Sequence, residues 1–204
     1  MGAELRGHGL LMSNVSKVAV EDGYLTSAIH CPSPNTNQRP PNQSISLLVI
    51  HNISLPPGKF GTGCVQKFFT NQLDPSQDPY FETIVDLKVS AHLFIERNGT
   101  VTQFVSFDAR AWHAGVSSFN GVANCNDYSI GIELEGCDNI AYTDAQYEAL
   151  VAVSDQIMRA YPHITLDRIV GHNHIAPDRK TDPGEAFDWS RYRASLQAAT
   201  SRSL

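Results

Sequence analysis

The sequence predicts an α/β fold in which helices flank a mixed central β-sheet. Short apolar runs rich in β-branched residues recur at 45–50, 129–134 and 168–171 and read as buried strands. Asn98-Gly99 is a hairpin signal that joins an alternating segment at 89–95 to a return strand at 101–105. Long helical periodicity is confined to 143–161 and to a last segment near 189–199, so strands and helices mix without strict βαβ alternation.

Residues 1–25 carry no pattern that can be placed and are read as an N-terminal extension; 26–204 are read as a single domain. The segment CPSPNTNQRPPNQ (31–43) is a loop by its Pro, Asn and Gln content. The run Ile45 to Ile50 is a strand that ends at His51. Two Pro- or Gly-bearing loops, 54–64 and 74–82, enclose a short helix from Val65 to Asn71, and both are candidates to move over a groove. In 89–95, Val89, Ala91, Leu93 and Ile95 alternate with Ser90, His92 and Phe94, the period of a strand. Residues 110–128 are small, polar and irregular, and Ser129 to Leu134 is a further strand closed by Gly136. Thr143 with Gln146 three residues on makes a capping box. The helix it opens presents Tyr147, Leu150, Val151, Ser154, Ile157 and Met158 on one face, and Pro162 stops it. A short strand, 168–171, delivers His172, and 173–187 read as a loop.

The chain has 204 residues and a formal net charge of −6. An acidic chain without a Lys/Arg run is a poor nucleic-acid ligand, so an anionic substrate must be met by a local positive cluster. The four cysteines form no C-x-x-C pair and read as free thiols in a reducing compartment. The apolar run Gly9 to Met12 is shorter than the ~7–15 residues of a signal core, and no stretch approaches the ~20 apolar residues of a membrane span. The expectation is a cytoplasmic single unit: a monomer with no membrane or nucleic-acid partner.

Eight histidines are present, and two stand at strand ends, His51 and His172; Asp182 follows ten residues after the second. Two imidazoles and a carboxylate make a three-ligand set of the kind that leaves a fourth position of zinc to water. Spacing alone leaves this open against two strand-end histidines and a surface aspartate. No H-E-x-x-H helix and no G-x-S-x-G elbow occurs, which sets aside the helix-borne zincins and an elbow-type serine nucleophile.

Five separate motifs resolve that choice: HN at 51–52, SAH at 90–92, WHAG at 112–115, SIGIELEG at 129–136 and GHNHIAPDRKTDPG at 171–184. Together they resemble the AmpD-type N-acetylmuramoyl-L-alanine amidases, of the wider family that includes phage lysozyme-type amidases and peptidoglycan recognition proteins. The resemblance covers roughly 30–195. It implies a zinc groove on one face of the sheet, with His51, His172 and Asp182 as ligands. It implies Glu133 as general base and acid, and Lys180 as the group that steadies an oxyanion. It also implies a small muropeptide substrate, the 1,6-anhydro-muramoyl peptide released in cell-wall recycling, and a bearing on β-lactamase induction in some bacteria. Arg179 is a candidate for a stem-peptide carboxylate, against pairing with Asp178 or Asp182. Trp112 and His113 are candidate groove walls. Lys88 stands where close relatives carry arginine and is a candidate carboxylate contact with less bidentate capacity. His92 reads as a structural histidine. The alternatives are a binding module that recognises peptidoglycan without cutting it, and a phage or exported amidase acting on intact wall.

Overall fold

The computed structural model describes residues 19–202. Six strands form the central sheet: β1 (Ile29–His30), β2 (Leu47–Ile53), β3 (Leu93–Ile95), β4 (Val101–Gln103), β5 (Ser129–Glu135) and β6 (Ile169–Gly171). Their order is β6-β2-β5-β3-β4-β1. The β3–β4 pair is antiparallel and the remaining pairs are parallel, so the sheet is mixed, as the sequence predicts. Among the described residues five α-helices accompany it: α1 (Cys64–Phe69), α2 (Pro79–Glu82), α3 (Asp144–Ala160), α4 (His172–Ile175) and α5 (Trp189–Ser201).

The strand period divides β2 and β5 between two faces. Leu48, Ile50, Ile130, Ile132 and Leu134 enter one core with Leu150 and Ile157 of α3 and Tyr192 and Leu196 of α5. Full burial of Leu150 and Ile157 contributes about 1.5–3 kcal/mol each. The capping box forms: the Thr143 hydroxyl accepts the Gln146 N–H, and the Gln146 side chain accepts the Thr143 N–H. The opposite faces of the two strands hold Leu47 and Val49 against Ala114, Cys125 and Tyr128, and continue into His51. A third apolar cluster joins α1 and α2 to Phe94 and Phe104.

Several local expectations are corrected. Residues 79–82 and 172–175 are single helical turns where the sequence reads as loop. Four residues are too few to show a 3.6-residue period, although Asp78 capping Tyr80 N–H ahead of Pro79 is a helix-start signature. Of the alternating segment 89–95, only Leu93–Ile95 joins the ladder, because Ser90 donates instead to the Trp112 carbonyl (3.1 Å). The loop at 31–43 contains a strand, Thr36–Gln38, paired with Ala109–Ala111. Residues 20–25, read as part of an extension, form a ribbon, and Leu25 is fully buried in the main core. Residues 1–18 of that extension, with His8 and the Gly9 to Met12 run, lie outside the described residues. All four cysteines are free. Among the described residues, no helix is long and apolar enough to cross a membrane.

His92 is fully buried, and its Nδ1 accepts the Gly131 N–H (3.0 Å) while Nε2–H donates to the Ala109 carbonyl (3.1 Å). Burial, aided by the nearby Arg39 charge, pushes its pKa down to about 3. The unfolded ring takes a proton below about pH 6.5 and the folded ring does not. Its contribution to stability is therefore complete above about pH 6.5 and is lost as pH falls toward 3. His92→Asn keeps an acceptor near the Nδ1 position and removes the titration. Urea titrations at a series of pH values are expected to show the acid-side decline of its unfolding free energy flattened by up to about 1.4 kcal/mol per pH unit. An unchanged slope would contradict the buried neutral ring.

Candidate active site

The parallel register builds the site. Glu133 of β5 is paired with His51 of β2, and Gly171 of β6 with Ile50. The residue after Gly171 is His172, so His172, His51 and Glu133 form one row across three adjacent strands near their C-terminal ends. Ligands of parallel sheets sit beyond those ends. A groove of about 780 Å³ opens there, and it is lined by His51, His172, Asp182, Glu133 and Lys180. Phe68, Phe69, Tyr80, Ile84 and Leu87 give it an apolar flank.

Asp182 returns to this row through the loop after α4. Its backbone carbonyl accepts the Asn173 N–H (3.0 Å). The three donor atoms then form a tight triangle: His51 Nδ1 to His172 Nδ1 is 3.0 Å, and each lies 3.1 Å from Asp182 Oδ2. Ligand atoms ~2.0–2.1 Å from one tetrahedral metal stand roughly 3.3 Å apart, so the triangle fits a divalent cation. The second nitrogen of His172 donates to the Ala114 carbonyl (3.1 Å), which leaves its Nδ1 lone pair facing the triangle. Burial opposes charge on both partners. It pushes His51 down to about 4, whereas the close approach of the two imidazoles overcomes the burial of Asp182 and holds its carboxyl low. A carboxylate at Asp182 and a neutral imidazole at His51 are the protonation states that metal binding needs.

Glu133 is 8% exposed, and its Oε2 has no hydrogen-bond partner among the described residues. Burial, and secondarily the Asp182 charge, raise its pKa well above the ordinary carboxylate value. Such an orphaned buried oxygen needs a reason, and a role in proton transfer is one.

Residues 41–185 match the model of the N-acetylmuramoyl-L-alanine amidase family. The chain belongs to that family. It is 51% identical over 185 residues to the 1,6-anhydro-N-acetylmuramyl-L-alanine amidase AmpD of Citrobacter freundii, covering 91% of this chain and 98% of that protein. The namesake protein of Haemophilus influenzae is 55% identical over 178 residues, 87% of this chain and 97% of its own. A crystal structure of an AmpD selenomethionine derivative superposes with a TM-score of 0.85 at 53% identity, over 87% of this chain and 98% of that one. The Escherichia coli amidase AmiD, solved in complex with the substrate anhydro-N-acetylmuramic acid-L-Ala-D-gamma-Glu-L-Lys, has a TM-score of 0.54 at 27% identity, over 88% of this chain and 65% of that one.

Within this amidase the remaining candidates have distinct surroundings. Trp112 lines the groove, and its indole N–H donates to Asn37 Oδ1 (2.6 Å). His113 also lines it, but both ring nitrogens are engaged, one with His51 Nε2 (2.9 Å) and one with Ser129 Oγ (3.1 Å). Arg179 forms no ion pair with Asp178 or Asp182 among the described residues; its Nη2 donates to the carbonyls of Ala114 (2.7 Å) and Val116 (2.9 Å). Gly115, at φ 58°, permits that approach, since a Cβ there would stand 3.0 Å from Nη2. Lys88 is exposed and does not line the groove, although Leu87 and Val89 on either side of it do.

Sequence reasoning missed the residues that hold the Asp182 loop. Asp138 accepts from Asn52 Nδ2 (2.9 Å) and from the Thr181 hydroxyl (2.5 Å). Asn52 and the Tyr142 hydroxyl both donate to the Pro183 carbonyl, at 3.1 and 2.7 Å. The available signal was position: Asn52 follows His51, and Asp138 follows the 129–136 motif by two residues. Asp138→Ala strips the acceptors from Asn52 and Thr181. It is expected to destabilise the fold by about 1–3 kcal/mol and to speed amide hydrogen exchange across 181–186. Unchanged exchange there would remove Asp138 from this role.

Proposed function

We propose that this protein is a zinc-dependent amidase that hydrolyses the bond between the lactyl group of 1,6-anhydro-N-acetylmuramic acid and the L-alanine of the stem peptide. We place the reaction in the cytoplasm, in recycling of cell-wall fragments, and within a single domain that takes in the ribbon at 20–25. The relatives named for the 1,6-anhydro sugar support the substrate. The orphaned, groove-facing carboxylate of Glu133 beside a three-donor cluster carries the chemistry.

His51, His172 and Asp182 would hold the zinc. When bound, zinc lowers the pKa of a coordinated water toward 7 and polarises a carbonyl. Glu133 accepts the proton of the attacking water and returns it to the departing alanine nitrogen, a task its raised pKa suits. The Lys180 ammonium offsets negative charge developing on the lactyl oxygen. Trp112 walls the sugar or peptide, and the apolar flank of the groove keeps bulk water from the reacting bond. Arg179 lines the groove and is a candidate partner for a stem-peptide carboxylate, with Nη2 committed to backbone. Lys88 acts only at long range.

Purified protein is to be incubated with 1,6-anhydro-muramoyl tripeptide and the free peptide followed by mass spectrometry. Release is expected, to be abolished by a chelator and restored by zinc. Glu133→Gln should retain zinc and lose ~10²–10⁴-fold in turnover. Lys180→Ala should lose on the order of 10²-fold. No release by the zinc-loaded wild type would overturn the reading, and full activity of the Glu133 variant would remove that residue's role.

A further inference from the structure

We propose that His113, anchored by Ser129, is a positioning residue that keeps the Nδ1 lone pair of His51 directed at the metal. The inference rests on the metal reading above. Its basis is the direction that the hydrogen bonds along this row must take.

His51 Nδ1 belongs to the donor triangle, so its Nε2 must carry the ring proton if Nδ1 is to coordinate. That Nε2 lies 2.9 Å from His113 Nδ1. The bond must therefore run from His51 Nε2–H to His113 Nδ1. His113 then carries its own proton on Nε2, and it donates that proton to Ser129 Oγ at 3.1 Å. The reverse direction is chemically possible. A donating serine hydroxyl would place the His113 proton on Nδ1, hand a donor to His51 Nε2 and leave the His51 proton inside the triangle. The two directions are alternatives for the whole chain of atoms, and only one is compatible with a metal.

The fold holds His113 tightly for this purpose. Its backbone N–H donates to Asn126 Oδ1 (3.1 Å). Its ring lies edge-on to His51 and to His92, with centroids 5.0 and 5.7 Å away. Beneath it is Gly131, where an added Cβ would come within 2.5 Å of the imidazole. Ser129 and Gly131 lie on the Glu133 face of β5, by the strand period. One strand thus supplies the anchor for His113 and the space it occupies. His172 obtains the same control more simply, from the Ala114 carbonyl. Groups that orient a metal-bound histidine in this way typically change metal affinity 10–100-fold when lost.

The test measures zinc affinity by competition with a chromophoric chelator, together with ring ¹⁵N shifts in the zinc-loaded wild type. His113→Phe keeps a ring and removes the acceptor, and is expected to weaken zinc binding 10–100-fold. His113→Asn restores an acceptor near the Nδ1 position and is expected to bind within about threefold of wild type. Ser129→Ala, remote from the ligands, is expected to weaken binding by roughly 3–10-fold, a fraction of the range for direct loss. The wild-type spectrum should show His113 protonated on Nε2 and bare on Nδ1. Wild-type affinity in His113→Phe, or a change confined to KM for the muropeptide, would overturn the positioning role. Should that variant not fold, the wild-type spectrum decides: a proton on His113 Nδ1 is incompatible with the proposal. A wild type that binds no zinc overturns the metal reading itself, which separates the two failures.

Discussion

The site depends on one constraint, the parallel register of β6, β2 and β5. Side-chain direction in a strand alternates, so slipping one strand by a single residue would turn its whole polar set to the other face. Here the register aligns His51 with Glu133 and Gly171 with Ile50, and the apolar partners Leu48, Ile50, Ile130 and Ile132 lock it by filling the core under α3 and α5. The energy that fixes the register is hydrophobic. The groups that benefit from it are polar and lie on the opposite face. A polar row on strand ends placed in this way does not depend on its own groups for its position.

Asp182 enters this row by different means. It comes from a loop, and a loop aspartate has no sheet register to position it. The compensating contacts come from distant segments: Asp138 grips Thr181 and Asn52, while Asn52 and Tyr142 both reach the Pro183 carbonyl. The residues on each side of Asp182 are thus tied to the chain near His51 and to the end of the β5 segment. The carboxylate is thereby placed within hydrogen-bonding distance of both imidazoles.

The legible parts of the sequence were those with a period or a cap. The runs that become β2, β5 and β6 stand out because they are buried on both faces, and the α3 capping box stands out by spacing. The strand-end positions of His51 and His172 followed from those runs. Their union with Asp182 did not follow from spacing; the family resemblance supplied it. The single turns α2 and α4 are too short to carry a period. Arg179 reads as a carboxylate grip or a partner of Asp178 or Asp182, and its engagement with the Ala114 and Val116 carbonyls depends on a chain segment more than sixty residues away. His113 reads as a groove wall because no local pattern announces that both its nitrogens have protein partners.

The two carboxylates of β5, which sequence spacing puts on one face, differ in their hydrogen bonding. Glu135 is 4% exposed, yet both its oxygens are used: Oε1 accepts the Gly61 N–H (2.5 Å) and Oε2 the Arg97 N–H (3.0 Å). It holds the loop at 54–63 to the sheet, and both its oxygens are committed to backbone N–H groups. Glu133, two residues earlier and similarly buried, keeps Oε2 unpartnered and faces the groove. Burial raises its affinity for a proton, and no hydrogen-bond donor offsets that rise at Oε2. Of two carboxylates on one strand face, the satisfied one builds structure, and the unsatisfied one keeps the unpartnered oxygen on which the proposed role as base rests.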